Sequence, residues 1–338
     1  MDQETNRQIK LAARPEGLPK GSDWEHVSEP IPEPGEGEVL VKVLYLSLDP
    51  AMRGWMNDVR SYVPPVQIGE TMRALGAGRV IASRHPEVEV GAHVTGLFGA
   101  REYACLDGAA AMPADTAAAP LPVHLGTLGM TGMTAYFGLL DIGRPKPGET
   151  VVISGAAGAV GGLVGQIAKL KGARAVGIAG GTEKCRYVVD ELGFDAAIDY
   201  KAENVLAALG EHCPNGIDVY FDNVGGETLD AALARLAFHA RVVVCGAISQ
   251  YNATGPLKGP SNYMSLLVNR ASMTGFLVFD FADRYAEGVR QMAEWLRQGK
   301  LVSREEVFPG GIDAFPAALL ALFEGKNTGK LVLEVAAE

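Results

Sequence analysis

Little in this chain points to a metal, a membrane or a nucleic acid. Its cysteines, Cys105, Cys185, Cys213 and Cys245, are scattered with no Cys-x-x-Cys pair, so neither a zinc ribbon nor a disulfide framework is suggested. The histidines (His26, His85, His93, His124, His212 and His239) form no His-x-x-x-His or similar ligand pair, so no metal is expected. No apolar run of about 18 residues is available to span a bilayer. A formal net charge of −10 argues against general binding to nucleic acid or to an anionic membrane. The opening Met-Asp-Gln-Glu-Thr-Asn-Arg-Gln is polar and lacks the apolar core of a secretory signal, so the cytoplasm is the expected location. Internal repeats and low-complexity segments are also missing.

What is present is 338 residues, enough for two domains, with 48% hydrophobic and 21% charged residues, as in ordinary soluble proteins. The chain turns on residues 151–172. Val151-Val152-Ile153-Ser154 reads as a buried parallel strand. A turn with Gly155, Gly158 and Gly161 follows, and then Val160, Leu163, Val164, Ile167, Ala168 and Leu170 recur at helical spacing up to a stop at Gly172. Strand, glycine turn and helix together make a dinucleotide site credible. Small residues let the backbone approach a pyrophosphate, and the free amides of the helix start bind its charge. The spacing is G-x-x-G-x-x-G rather than G-x-G-x-x-G, so a turn that merely packs a helix on a strand is the competing reading.

Residues 1–38 read as a polar, turn-rich approach. A strand over 38–46 and short strands near 72–82, 92–98 and 101–106, separated by Gly and Pro, suggest a small barrel-like β domain. From about 126 the texture changes. A helix is expected over 126–140, then strands at 151–154, 173–179, 196–199, 217–222, 241–246 and 272–278. Helices fall between them at about 160–171, 182–192, 203–212, 227–237 and 282–299. That alternation implies an α/β doubly wound parallel sheet. The tail has a proline-containing helix and a last strand over 329–335, and it is expected to return to the first domain. The expected division is 1–127, 128–304 and 305–338.

The second strand of such a sheet usually ends in Asp or Glu when the cofactor is NAD. Here it ends in Gly180-Gly181, with Lys184 following, which suits a 2′-phosphate and favours NADP(H). A solvated lysine at a helix start is the alternative.

Several longer runs accompany these: Leu48-Asp49-Pro50-Ala51-Met52-Arg53, Leu125-Gly126-Thr127-Leu128-Gly129-Met130, Thr134-Ala135-Tyr136, Tyr220-Phe221-Asp222-Asn223-Val224-Gly225-Gly226, Cys245 to Asn252, and Asn327-Thr328-Gly329-Lys330. With the glycine turn, they make the chain resemble, almost end to end, the zinc-free branch of the medium-chain dehydrogenase/reductases. Within that branch it resembles the prostaglandin reductase (leukotriene B4 12-hydroxydehydrogenase) family, with its curcumin-reductase and alkenal double-bond reductase relatives. The resemblance implies a GroES-like β-rich domain and a Rossmann domain. It implies cofactor contacts from Met130, Thr134, Gly155 and the turn Gly158, Ala159, Val160 and Gly161 at the pyrophosphate. Gly180, Lys184 and Tyr200 would meet the adenosine 2′-phosphate, and Asn223 the middle of the cofactor. Cys245, Gly246, Ala247, Ile248, Ser249 and Tyr251 would line the nicotinamide half. Phe276, Leu277 and Val278 would close over it with main-chain contacts, and Asn327 would reach in from the tail. Read without the resemblance, Tyr200 is a strand-end surface residue, Asn223 a turn former and Phe276 to Val278 plain core.

Zinc-dependent relatives carry a cysteine and a Gly-His-Glu where this chain reads Ser47-Leu48-Asp49 and Gly76-Ala77-Gly78, and their four-cysteine lobe is missing. The implied activity is therefore NADPH-dependent reduction of the carbon–carbon double bond of an α,β-unsaturated aldehyde or ketone, with Tyr251 as the catalytic candidate. A quinone reductase and a non-catalytic NADPH-holding scaffold are the alternatives. Some relatives carry tyrosines where this chain has Ala51 and Val268, and Tyr263 lies in a different register, which leaves the proton donor open. A homodimer is expected, because the apolar strand around Ser272–Val278 would leave an exposed edge in a monomer.

Overall fold

The computed structural model describes residues 5–337. The first part of the chain is mostly strand: β1 (Thr5–Leu11), β2 (Trp24–Pro30), β3 (Glu38–Ser47), β4 (Leu75–Ser83), β5 (His93–Leu97), β6 (Tyr103–Asp107) and β7 (Met112–Pro113). Helix α1 (Ala51–Trp55) follows β3, and α2 (Leu121–Leu125) follows β7. The middle alternates α3 (Met130–Phe137), β8 (Thr150–Ser154), α4 (Ala159–Leu170), β9 (Arg174–Ala179), α5 (Thr182–Arg186), β10 (Ala196–Asp199), α6 (Val205–His212) and β11 (Ile217–Asp222). It continues with α7 (Gly226–Leu233), β12 (Leu236–Val244), α8 (Met264–Asn269), β13 (Ser272–Gly275) and α9 (Tyr285–Arg297). The tail holds β14 (Glu305–Phe308), α10 (Phe315–Phe323) and β15 (Lys330–Glu334). These elements form two compact units, one running up to Gly126 and resuming at Glu305, the other Thr127–Arg304.

In the first unit, a sheet runs β14-β15-β3-β4-β5-β7, with β6 also on β3. Buried Ile9, Val41, Val43, Leu46, Met52, Trp55, Met72, Phe98, Phe315 and Leu333 share one core. The turn-rich approach expected over 1–38 is instead largely a hairpin-like pair. Strands β1 and β2 run antiparallel from Thr5↔Pro30 to Leu11↔Trp24. The pattern is hidden because two buried positions of β1 are polar. Asn6 donates to the Tyr103 carbonyl at 2.8 Å and accepts from its amide at 3.0 Å, standing in for a ladder partner. Gln8 is satisfied by the Thr71 hydroxyl.

The second unit carries a six-stranded parallel sheet in the order β10-β9-β8-β11-β12-β13. The first three strands are laid down in one direction and the next three in the other. The reversal falls between β8 and β11, and in doubly wound sheets ligands bind beyond the carboxyl ends at that point. Val152, Val176, Ile178, Ile198, Tyr220 and Val242 are buried together on one face, under α6 and α7 residues such as Leu209 and Leu233.

Several expected boundaries move. The helix expected over 126–140 is α3 followed by a wider π-helical stretch, Gly138–Gly143. The helix over 182–192 keeps its α form only to Arg186 and widens over Tyr187–Glu191. The helix over 227–237 stops at Leu233, because β12 already begins at Leu236. That early start was masked by His239, whose φ of 61° interrupts the ladder between Leu236 and Arg241. The strand over 272–278 ends at Gly275, and Val278 opens a 3-10 turn.

The strand ends at the reversal are held by Asp222, which is 1% exposed. Its Oδ1 accepts from Ser154 Oγ at 2.9 Å, Tyr220 Oη at 3.1 Å, the Val224 amide at 3.1 Å and the Gly225 amide at 3.0 Å. Its main-chain carbonyl takes the amides of Cys245 at 2.9 Å and Gly246 at 3.0 Å. Among the described residues, Oδ2 has no hydrogen-bond partner. Burial pushes the carboxyl pKa up, and the Gly225 and Val224 amides with the two hydroxyls pull against it. Asp222→Ala strands two main-chain amides and two hydroxyls, so it should lower stability by on the order of 3 kcal/mol. Urea unfolding followed by fluorescence checks this, against an exposed control such as Asp190→Ala, which should shift stability by no more than about 0.5 kcal/mol. Equal midpoints for the two variants would remove Asp222 from this role.

Candidate cofactor site

The glycine turn leaves β8 at Ser154 and enters α4 at Ala159. It is fixed by its own backbone: the Gly158 amide donates to the Gly155 carbonyl at 3.0 Å, and the Ala156 amide to Ile178 of β9 at 3.0 Å. Gly158 caps α4, and no side chain occupies that cap. Helix geometry leaves the amides of Ala159, Val160 and Gly161 without intrahelical acceptors, so the helix start is open to an anion. Gly161 is required by close approach: a Cβ there would lie 2.3 Å from the Gly155 carbonyl oxygen. The residues present therefore fit a pyrophosphate, the group that the sequence led us to expect here.

At the end of β9, Tyr200 lies across Gly180 so closely that a Cβ at residue 180 would come within 2.7 Å of its ring, while the tyrosine stays 52% exposed. Lys184 is half-buried in the middle of α5, the helix entered directly from Gly181. An acid does stand here, and sequence reasoning passed over it. Asp199 ends β10, buried, and its Oδ1 accepts from the Gly181 amide at 2.8 Å and the Lys201 amide at 3.0 Å. Its place at the carboxyl end of a strand of the parallel sheet was the available signal. Those amides turn its charge toward the loop. Burial first, then Asp199 and Glu203, push the neighbouring Cys185 thiol up to about 11.

On the other side of the reversal, Asn223 follows Asp222. Its side chain donates to the Ser154 carbonyl at 2.7 Å and its amide to Ser154 Oγ at 2.9 Å. The run from Cys245 to Tyr251 is zipped onto this turn. The Ile248 amide donates to the Asn223 carbonyl and the Ser249 amide to that of Val224, each at 3.2 Å, and Ser249 Oγ donates to Val224 at 2.6 Å. The Tyr251 hydroxyl accepts from the Ala247 amide at 3.2 Å, so it braces its own loop, with Gly246 beneath it. Burial and the nearby Asp222 raise the Cys245 thiol to about 12.

The second unit thus gathers Gly155, Gly158 to Gly161, Asn223 and the Cys245–Tyr251 loop at one set of strand ends, with Gly180, Lys184 and Tyr200 at the end of the neighbouring β9. Met130 and Thr134 lie on α3, where Thr134 Oγ1 donates to the Met130 carbonyl at 2.8 Å. Phe276 and Leu277 leave β13 half-buried, and Val278 is buried. Asn327 belongs to the first unit, where its buried side chain donates to the Gly329 carbonyl at 3.0 Å. Of the positions where relatives carry tyrosines, Ala51 opens α1 in the first unit and Val268 is 66% exposed on α8. Sequence reasoning also missed Asp222 and Ser154, which hold the strand ends together.

Among the described residues, no group of three or more His, Cys, Asp or Glu side chains is placed to hold a metal ion, and no helix is long and apolar enough to cross a membrane. Residues 7–114 match a family model described as the N-terminal domain of oxidoreductase, and residues 159–295 one described as zinc-binding dehydrogenase. The chain is 43% identical to the NADPH-dependent curcumin reductase of Escherichia coli, covering 99% of this chain and 98% of that protein. It is 40% identical to the NADP(+)-dependent 2-alkenal reductase of Nicotiana tabacum, covering 100% and 99%. The crystal structure of CurA from Vibrio vulnificus in complex with NADPH superposes with a TM-score of 0.93 at 46% identity, over 98% of this chain and 100% of that one. A bare helix start at the reversal of a parallel sheet in one unit, a β-rich fold in the other, and identity at this level along the whole chain place the protein in the medium-chain dehydrogenase/reductase family, on the branch of the curcumin, 2-alkenal and prostaglandin reductases.

Proposed function

We propose that this protein uses NADPH to reduce the carbon–carbon double bond of α,β-unsaturated aldehydes or ketones. The observation that carries the reading is the uncapped start of α4 at the sheet reversal, flanked by Lys184 and Tyr200 at the end of β9. The substrate class rests on the end-to-end likeness to the curcumin and 2-alkenal reductases.

Bound NADPH supplies the reducing equivalent to the β-carbon. The amides of Ala159, Val160 and Gly161 hold the pyrophosphate, and Lys184 with Tyr200 holds the 2′-phosphate. Asn223 and the Cys245–Tyr251 loop orient the nicotinamide half, and Tyr251 keeps that loop in shape through the Ala247 amide. As negative charge develops on the substrate oxygen, hydrogen-bond donors at the site stabilise the enolate. A proton then adds at the α-carbon. With Ala51 and Val268 in place of the relatives' tyrosines, water supplies that proton.

The same reading includes a homodimer. Strand β13 is an outer strand of the six-stranded sheet, and Met264 (50% exposed), Leu267 (69%), Val268 (66%) and Met273 (40%) present apolar surface on it and on the preceding α8. An exposed apolar edge is a liability that pairing with a second copy removes.

Three outcomes are expected. With an enone and 4-deuterated NADPH, deuterium appears at the β-carbon and solvent deuterium at the α-carbon; label on the carbonyl carbon, giving an allylic alcohol, or turnover of quinones alone, replaces the reading. Lys184→Ala raises the KM for NADPH at least about tenfold and leaves NADH use nearly unchanged, as for a lost charge-assisted contact; equal effects on both cofactors would sink the 2′-phosphate role. Static light scattering at micromolar concentration gives twice the mass of one chain, and a single-chain mass refutes the dimer.

A further inference from the structure

Phe276, the first residue past β13, turns its ring inward. It meets Phe221 of β11 edge-on, with ring centroids 6.3 Å apart. The other wall of its slot is Gly138, buried at the junction between α3 and the π-helical stretch. A Cβ on Gly138 would lie 2.4 Å from Phe276 Cζ and 2.9 Å from Phe221 Cε2. Contacts that close do not occur, so any side chain at residue 138 drives the Phe276 ring out of its slot. The next two residues of the main chain depend on that anchor. Beyond Gly275 the β12–β13 ladder has ended. Neither the Leu277 nor the Val278 amide donates a hydrogen bond within the described residues. The segment is held instead by the Phe276 ring behind it and by the Asp280 amide, which donates to the Leu277 carbonyl at 3.1 Å. Two unpaired amides on a backbone pinned from one side suit the oxygen of a planar carboxamide, which accepts from them.

We propose that Gly138 is a positioning residue for the nicotinamide end of the cofactor, acting through Phe276 on the main chain of Leu277 and Val278. It touches neither cofactor nor substrate. Its lack of a side chain admits the Phe276 ring, and the seated ring sets where the two amides stand. The same slot ties this segment to α3, whose opposite end carries Met130, with Thr134 one turn further along. The inference rests on the reading that Leu277 and Val278 meet the nicotinamide carboxamide.

The test compares NADPH with 2′-phospho-ADP-ribose, which shares the adenosine and pyrophosphate groups and lacks the nicotinamide. Binding of each is measured by calorimetry. Gly138→Ala should weaken NADPH about tenfold or more, the scale of one or two lost hydrogen bonds, and leave the fragment within about twofold. Phe276→Ala, which empties the slot without a clash, should give the same split should Gly138→Ala fold poorly. Gly138→Ala combined with Phe276→Leu, a smaller side chain in the narrowed slot, should recover most of the NADPH affinity. In the unaltered protein, hydrogen exchange at Leu277 and Val278 should slow with NADPH and not with the fragment. Absent protection there removes the reading of the nicotinamide contact, and the inference with it. Protection in the unaltered protein, together with a folded Gly138→Ala that binds NADPH normally or loses both ligands equally, overturns the role of Gly138 alone.

Discussion

One buried carboxylate oxygen organises the ligand-facing end of the larger unit. A parallel sheet that reverses its winding leaves two neighbouring strands, β8 and β11, diverging into separate loops, with polar main chain exposed between them. Asp222 Oδ1 gathers four donors from both sides of that gap. Its own carbonyl adds the start of the loop after β12. A single side chain therefore sets three loops relative to one another. A serine or asparagine at residue 222 would offer an acceptor without the same charge, and the bonds it received would be weaker. The cost is the desolvation of a carboxylate with one oxygen unpartnered, which is why burial leads the causes of its raised pKa. A site that tolerates this cost is one where loop geometry outweighs stability.

The smaller unit meets a similar demand with opposite charges. Lys330 at the start of β15 is 3% exposed, and its Nζ donates to Asp49 Oδ1 at 2.7 Å and to the Leu48 carbonyl at 2.9 Å. Ser47 Oγ donates to the other Asp49 oxygen. A buried pair of this kind contributes little net stability compared with apolar residues of the same shape, yet removing one partner is costly. Its effect is to lock the turn after β3 to the turn that carries Asn327. In both units, then, ionised groups are spent on fixing where loops leave strands, while the bulk of the cohesion comes from aliphatic cores such as Val152–Ile178–Val242 and Val41–Leu46–Leu333.

Strands β8, β9 and β11 of the larger unit were legible because they are buried on both faces, and β-branched and aromatic runs such as Ile217–Asp222 have no other reading. The glycine turn was legible because the steric demand at Gly161 leaves a mark on composition. The β1–β2 pair was hidden because Asn6 and Gln8 do inside the fold what a ladder partner would do, and a polar residue at a buried position reads as surface. Asp222 and Asp199 were missed for a related reason: an acid at the end of a strand looks like a turn former, and only the folded chain shows how many amides converge on it. Gly138 carries no signal at all within a stretch already rich in glycine, since the ring that needs the space is far away in sequence. Local patterns record local constraints, and these residues answer to distant ones.

The division of the chain has a consequence for its synthesis. The larger unit is one unbroken stretch, Thr127–Arg304, whereas the smaller one is written in two pieces. Strand β3 lies between β15 and β4, and the Lys330–Asp49 bond joins residues 281 positions apart. On the ribosome, the larger unit can close while β3, already paired with β6 over Glu38–Lys42, still waits for β15 over Tyr45–Ser47. At ~5–20 residues per second that wait lasts on the order of half a minute. For that interval the nascent chain carries an unpaired apolar end of β3, and it is there that a chaperone has most to protect.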